Sequence, residues 1–554
     1  MSAIELLLAC ALAGMAVLWR PWLEPLFARL AQKPWWAAML LAALPVALRL
    51  ALLPHHPRPT PDVYDEFGHL LMADTLRHLR LANPPLAMPQ FFETFFVLQQ
   101  PTYSSIYPLG QGLMLAAGWT IFGHPWAGVL LATAAFCGLC YWMLRGWTTP
   151  GWALAGGFLA VIEFGPLSQW MNSYWGGAFA AAAGCLVFGA APRLRRTASL
   201  RDAALLGIGF GLHLLIRPYE SIFLALAVAL YFAPLARHAA EVRRLLRPAA
   251  VAAAAVLPAI LLTGLQNRAV TGSWTTLPEA LSMYQYGVPS ALTFQPNPTP
   301  HRDLTPEQAM DYRMQLSFHG PNQDTLATYL ERLEYRVRYY RFFFLPPLYV
   351  ALIFFLARLR EPAYAWVAAA AALFALGVNF FPAFQVHYIA ACTCLFVLMA
   401  VAGLERLSRI VIRGRPAGDE AARVLVLLCL VHFGLWYGVH LADDSTVARD
   451  LRPYETWDVL NHGNPERRIL VRDSLAQIPG KLLVFVRYSP RHIFQDEWVY
   501  NGADLGGERI IWAHDLGGAE NRKLALAWPD RTMLLLEPDE RPPQISPYNP
   551  ALEP

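Results

Sequence analysis

"WWAAMLLAALPVALRLALLPHHPRPTPDVYDEFGHL", residues 35–70, sets two kinds of chemistry end to end. The first half, 35–53, is an apolar run long enough to cross a bilayer core of roughly 30 Å as a helix. The second half gathers Asp62, Asp65, Glu66 and His69 just beyond that run. Apolar runs recur at 3–19, 109–122, 126–144, 151–165, 177–191, 202–216, 220–235, 248–265, 342–357, 363–380, 388–404 and 424–440. Of 554 residues, 56% are hydrophobic and 15% charged, where a soluble domain carries about 25% charged. The pattern excludes a soluble enzyme and defines an α-helical polytopic membrane protein. The net charge of +4 comes from loop arginines and marks no nucleic-acid surface.

Cys10, Cys137, Cys140, Cys185, Cys392, Cys394 and Cys429 all lie inside apolar runs. They read as small packing residues, not a disulfide framework or a redox pair. The 3–19 run reads as a retained helix.

Arginine placement orients the chain, because basic loops stay on the cytoplasmic side. The clusters are Arg20, Arg29 and Lys33; 193–196 with Arg201; 237–247; 358–360; and 405–415 with Arg423. With 20–34 inside, 54–108 is outside. All later clusters fall inside only if 109–122 lies along the outer interface, which its short, glycine-rich sequence suits. This predicts about twelve spanning helices in a membrane domain over 1–440. The large outer regions are 54–125, 266–341 and 441–554. From 441 the apolar runs stop. Strands are predicted at 481–488, 509–515 and 532–539, with a helix over 517–528. That is a small α/β extracytoplasmic domain over 441–554 without a nucleotide fingerprint, suited to an accessory role.

Candidate chemistry gathers on the outer side. Asp62 reads as a helix N-cap, with Asp65 closing a capping box. Such a helix also puts Asp65 and His69 on one face beside the membrane, where a partly desolvated carboxylate is a good base. Tyr107 lies in the 99–112 stretch whose Pro and Gly turn the chain into the interfacial segment; a pocket wall or a headgroup anchor are both open. Asn172, Ser173, Tyr174 and Trp175 pair polar hydrogen bonders with aromatic faces, and Gly176–Gly177 allow close backbone approach. Arg217 and Glu220 sit on the wrong side for a topological arginine; a private ion pair and a phosphate site are the alternatives. His387 and Tyr388 enter a helix from outside. The alternating arginines and aromatics of 328–344 read as an interfacial helix. No metal-ligand spacing, HExxH, Walker or GxSxG motif is present.

The order of these features resembles the GT-C superfamily of polyprenyl-phosphate-dependent glycosyltransferases. The nearest look is to protein O-mannosyltransferases (glycosyltransferase family 39) and lipid A aminoarabinose transferases. The matching pieces are "YDEFGHLLMADTL" 64–76, "YPLGQGLMLAAGWTIFGHPWAGV" 107–129, "NSYWGG" 172–177, "GIGFGLHLLIRPYE" 207–220, "NRAVTGSWTTLP" 267–278 and "HY" 387–388. The resemblance covers roughly residues 35–410. It implies a donor sugar on a polyprenyl phosphate and a glycan, lipid or protein acceptor. It implies catalysis by Asp65 as base with Glu66 beside it. Substrate contacts would come from His69, Tyr107, Asn172, Tyr174, Trp175, Arg217, Glu220, His387 and Tyr388. It fixes no cofactor, since such enzymes occur with and without a divalent cation. It suits a bacterial inner membrane. One family feature is missing: residues 105–107 are "SIY", with no lysine. Either Arg217, Arg58 or His387 then supplies the positive charge, or the donor is bound differently or the activity is weak. Two alternatives stand beside this reading. A transporter or flippase would carry mid-membrane ionisable residues and internal repeats. A non-catalytic envelope scaffold of the same fold would tolerate loss of Asp65.

Overall fold

Apolar runs become helices here, and their ends are set by residues that cannot continue them. The computed structural model describes residues 24–61, 63–320, 323–442 and 465–552. The expected 3–19 helix, Cys10 and Asp62 lie outside these. Proline opens the helices Pro34–Ala51, Pro150–Phe164 and Pro362–Val378, where its missing N–H costs nothing. Gly123 and Gly272, in the left-handed region, close Leu109–Phe122 and Ala239–Thr271. Ser199 caps Leu200–Ile216 through the Asp202 N–H.

Most runs fold close to their expected limits, including Trp126–Leu144, Ala178–Thr197, Glu220–Phe232, Thr393–Ser408 and Ala417–Leu441. Two differ. The 248–265 run belongs to a 33-residue helix, Ala239–Thr271, about 50 Å long and therefore longer than a bilayer core. The 342–357 run is not one helix. Pro346 and Pro347 interrupt it, and Leu326–Phe343 meets Leu348–Arg360 at 115°. By length and composition six described helices can cross a membrane, or seven if that bent pair counts once. The expected twelve exceed this because 3–19 lies outside the described residues and apolar helices such as Pro150–Phe164 and Pro362–Val378 are short.

The helices approach closely through small residues, as membrane helices do. A Cβ on Gly184 would lie 2.1 Å from the Ala391 carbonyl oxygen, and one on Gly403 1.9 Å from that of Ala351. The aromatic core between them holds Phe136, Phe164, Trp170, Phe343 and Phe374. The six described cysteines are free and buried.

Outside this bundle, β1 (Val97–Leu98) pairs antiparallel with β2 (Ser104–Ser105). The C-terminal strands are β3 (Leu482–Val486), β4 (Ile510–His514), β5 (Thr532–Glu537) and β6 (Gln544–Pro547), in the order β4-β3-β5-β6. β3 pairs parallel with β4 and β5, and its "LLVFV" is buried on both faces. β6, antiparallel to β5, is an element the sequence reading lacked. One face, Leu482, Val484 and Val486, is covered by Val471 and Leu475 of the helix Pro465–Ala476. The other, Leu483 and Phe485, packs with Leu524 of the helix Gly518–Ala527 and shares a core with Leu71, Phe91, Phe92 and Tyr103. The sheet is thus bound to the 64–105 segment, not detached. Tyr103 donates to the Asn501 carbonyl at 3.0 Å, and Asp74 accepts the Ala503 N–H at 2.8 Å.

Candidate active-site recess

The helix Tyr64–Arg77 begins one residue later than the capping reading expected. Val63 is its N-cap and Glu66, not Asp65, stands at the third position. Glu66 Oε2 accepts the Val63 N–H at 3.2 Å, and Oε1 accepts the Tyr174 N–H at 2.6 Å. Glu66 therefore ties the helix start to the 172–177 turn. Asp65 takes no part in the cap. It is half-buried and accepts a hydrogen bond from the Tyr107 hydroxyl; Trp175 also hydrogen-bonds it. Tyr107 reaches the helix because residue 68 is glycine: a Cβ there would lie 2.8 Å from the Tyr107 ring.

The turn that carries Trp175 needs both of its glycines. Gly176 and Gly177 have φ of +103° and +113°, and a Cβ on Gly177 would strike the Trp170 indole at 2.3 Å. Arg217 sits where Leu200–Ile216 ends, its N–H bonded to the His213 carbonyl at 2.7 Å. Its own carbonyl accepts the Ser221 hydroxyl at 2.8 Å, and Ser221 meets His213 Nδ1 at 2.7 Å. So held, the guanidinium lies 4.8 Å from the Tyr388 ring centre and 4.0 Å from Glu220. His387 packs against Trp175 and Tyr388, each at 5.0 Å. His69 packs on Tyr107 at 4.3 Å. Asp65, Tyr107, Trp175, Arg217 and Tyr388 are all half-buried, whereas His69, Glu220 and His387 are buried behind them.

Burial pushes the Asp65 carboxyl above its usual range, against the pull of the Tyr107 hydrogen bond and the Arg217 charge. Burial, with Arg217 adding, pushes His69 down to about 3, so its imidazole is neutral. The field of Arg217 also reaches His387 and Tyr388. Arg58, the other cation considered, acts instead on His124 and Tyr174. Arg217 is thus the cation that faces Asp65, in the absence of a lysine near Tyr107.

Two residues expected to touch substrate belong to the framework. Asn172 accepts from Arg49 Nε at 2.6 Å and donates to the Pro166 and Ser168 carbonyls at 2.9 and 2.8 Å. The Tyr174 hydroxyl donates to the Pro59 carbonyl at 2.8 Å. Arg49, buried in the first described span, also donates to the His56 and Pro57 carbonyls at 3.0 Å. Its role was missed because nothing in a lone arginine near a helix end names its partners.

The sequence reading also missed two carboxylates of the 266–341 region. Glu279 is pushed up to about 7 by burial and by Glu220, opposed by Arg217. Asp311 is pushed up to about 7, by burial first and with Asp65 adding. Both stand on ordinary helices, Pro278–Tyr286 and Pro306–His319, and Glu279 reads locally as a first-turn acid. Among the described residues no three His, Cys, Asp or Glu side chains converge in a group able to hold a metal ion.

The fold and this cluster define a multi-pass membrane protein with a carboxylate and an arginine gathered at helix ends. No protein-family description and no curated protein sequence matches the chain. Among solved structures it is similar to ArnT from Cupriavidus metallidurans in the apo state, with TM-score 0.49 and 12% identity over 90% of this chain and 92% of that one. ArnT bound to undecaprenyl phosphate gives 0.49 and 11% over the same shares. The archaeal oligosaccharyltransferase AglB from Archaeoglobus fulgidus, in complex with an inhibitory peptide and a dolichol-phosphate, gives 0.38 and 13%, over 91% of this chain and 69% of that one.

Proposed function

We propose that the chain is a membrane glycosyltransferase. It moves a sugar from a polyprenyl-phosphate donor to an acceptor hydroxyl on the outer face of the membrane. The observation that carries this reading is a half-buried, hydrogen-bonded carboxylate, Asp65, that feels the charge of a half-buried guanidinium, Arg217. The aromatic walls Tyr107, Trp175 and Tyr388 suit a sugar ring.

The chemistry follows from those two charges. The donor's phosphate is already a leaving group, so neither a nucleotide nor a strong acid is needed. Asp65 takes the proton of the acceptor hydroxyl as its oxygen attacks the anomeric carbon. The bond from that carbon to the phosphate oxygen breaks on the opposite face. One displacement inverts the configuration. The polyprenyl phosphate leaves with an added negative charge, which Arg217 meets. Glu66 acts at a distance, by fixing the start of the helix that presents Asp65. The interfacial placement of Leu109–Phe122 and the outer location of the C-terminal sheet belong to the same proposal.

The test is reconstitution. Purified protein in proteoliposomes, given a radiolabelled polyprenyl-phosphate sugar and envelope extract as acceptor, is expected to release polyprenyl phosphate as label enters the acceptor. Movement of intact donor between leaflets without transfer would overturn the reading in favour of a flippase.

A further inference from the structure

At one end of the bundle the loop arginines form a fixed arrangement. Ala239–Thr271 is longer than a bilayer core, so its first turns, which carry Arg243, Arg244 and Arg247, emerge at the membrane surface. It packs on Leu200–Ile216 through glycines. A Cβ on Gly207 would lie 2.2 Å from the Ala252 carbonyl oxygen, and one on Gly211 3.2 Å from the Ala259 Cβ. The two helices therefore run parallel. Six residues earlier on each (207 to 201, 252 to 246), Arg201 stands level with Leu246. Arg244 donates to the Arg195 carbonyl at 2.6 Å, which ties this turn to the end of Ala178–Thr197.

An apolar stripe leads into the same turn. Val242, Leu246, Ala250, Ala253, Leu257 and Leu261 recur every three or four residues along Ala239–Thr271, and all are exposed, as on a helix face turned to lipid. Arg243 and Arg247 follow Val242 and Leu246 and so lie about 100° round the helix, at the edge of that stripe. Arg201, Arg237, Arg243 and Arg247 are exposed and make no hydrogen bond or ion pair with any described residue. The two acids of these segments face other arginines. Glu241 meets Arg244 at 2.9 Å, and the charge of Asp202 acts on Arg193.

We propose that this end of Ala239–Thr271 binds an anionic phospholipid, with its headgroup on Arg201, Arg243 and Arg247 and an acyl chain along the Val242–Leu261 stripe. Charge and shape together select that occupant. Guanidinium groups bind phosphate through paired, charge-assisted hydrogen bonds. Arginines beside a spanning helix attract anionic lipid headgroups. Their apolar stems lie along the stripe while the charged heads reach the headgroup level. A soluble anion would make no use of the stripe, and a lipid without net charge would leave the guanidiniums unmatched. The site lies at the start of Leu200–Ile216, whereas Arg217 lies at its end, so it stands apart from the transferase reading.

The test is lipid binding, which reads the site whether or not the chain transfers sugar. Full-length protein in detergent, washed free of lipid, is titrated with dioleoyl phosphatidylglycerol or with dioleoyl phosphatidylcholine, and bound lipid is counted by native mass spectrometry. The anionic lipid is expected to bind at least about tenfold more tightly than the zwitterionic one, which is within what three arginines contribute together. R201Q/R243Q/R247Q should abolish that preference, and the single variant R243Q should weaken it. R360Q/R406Q/R415Q, which removes three exposed arginines elsewhere, should leave it intact. Thermal unfolding of each lipid-free variant confirms that it is folded. No preference in the wild type, an equal loss in both triple variants, or an unmoved preference in R201Q/R243Q/R247Q would overturn the proposal. Displacement of the phospholipid by glycerol 3-phosphate at equal concentration would assign the arginines to a soluble anion and overturn it as well.

Discussion

Replacing Asp65 with asparagine keeps the volume of the side chain and leaves an oxygen for the Tyr107 hydroxyl to donate to. It removes the group that takes the acceptor's proton. A positioned general base contributes about 10²–10⁴-fold, or about 3–5 kcal/mol of barrier, so transfer should fall by that factor. Stability should move the other way. Burial raises the Asp65 pKa, so the folded state holds the proton more readily than the unfolded chain. The resulting stability is present below the unfolded value and is lost as pH rises through the folded value. At neutral pH the ionised carboxylate is therefore a net cost to folding, and D65N should unfold no earlier than the wild type and somewhat later. The assay is label transfer from a polyprenyl-phosphate sugar, paired with thermal unfolding of the same preparation at pH 7. A structural carboxylate would give the opposite pair: a lower midpoint with much of the transfer retained. Wild-type transfer in D65N would refute the base. Lost transfer with an earlier midpoint would refute the electrostatic account.

Other expectations follow from the same geometry. Tyr107→Phe removes a hydrogen bond that lowers the Asp65 pKa, so the acid limb of the transfer rate should move to higher pH; an unmoved limb in a full pH profile would break the link. Glu279 loses its proton near pH 7, and above that its anion competes with the donor phosphate for Arg217. Donor KM should therefore rise between pH 6 and 8 in the wild type and stay flat in E279Q, and parallel profiles would refute the competition. Glu66→Gln sets an NH₂ group against one of two backbone N–H donors and should destabilise by about 1–3 kcal/mol, read as an earlier unfolding midpoint.

Much of the architecture was legible because it rests on local signals. Apolar runs alone placed Trp126–Leu144 and Pro362–Val378 closely. Leu482–Val486, Ile510–His514 and Thr532–Glu537 fall inside stretches read as strands. The edge strand β6 was hidden because "QISP" is short, holds a proline and is mostly exposed. The bend at Pro346–Pro347 was written in the sequence but outweighed by the apolar run around it. Partners distant along the chain were not legible: Arg49 meets Asn172 across 123 positions, and Glu279 feels Arg217 only once the 266–341 region packs on the 217–220 turn.

The recess itself turns on a register of one residue. Had the helix started at Asp62, Asp65 would occupy the third position and accept the cap N–H, leaving little of its carboxylate for chemistry. With Val63 as cap, that duty passes to Glu66, whose second oxygen then reaches the Tyr174 N–H on the opposite side. Neighbouring residues on a helix point about 100° apart. When Glu66 turns toward the cap and the Tyr174 turn, Asp65 turns toward Tyr107, Trp175 and the Arg217 charge. The adjacent acids "DE" are thus not a duplicated signal. One builds the mounting and the other is presented by it, and only the helix start decides which is which.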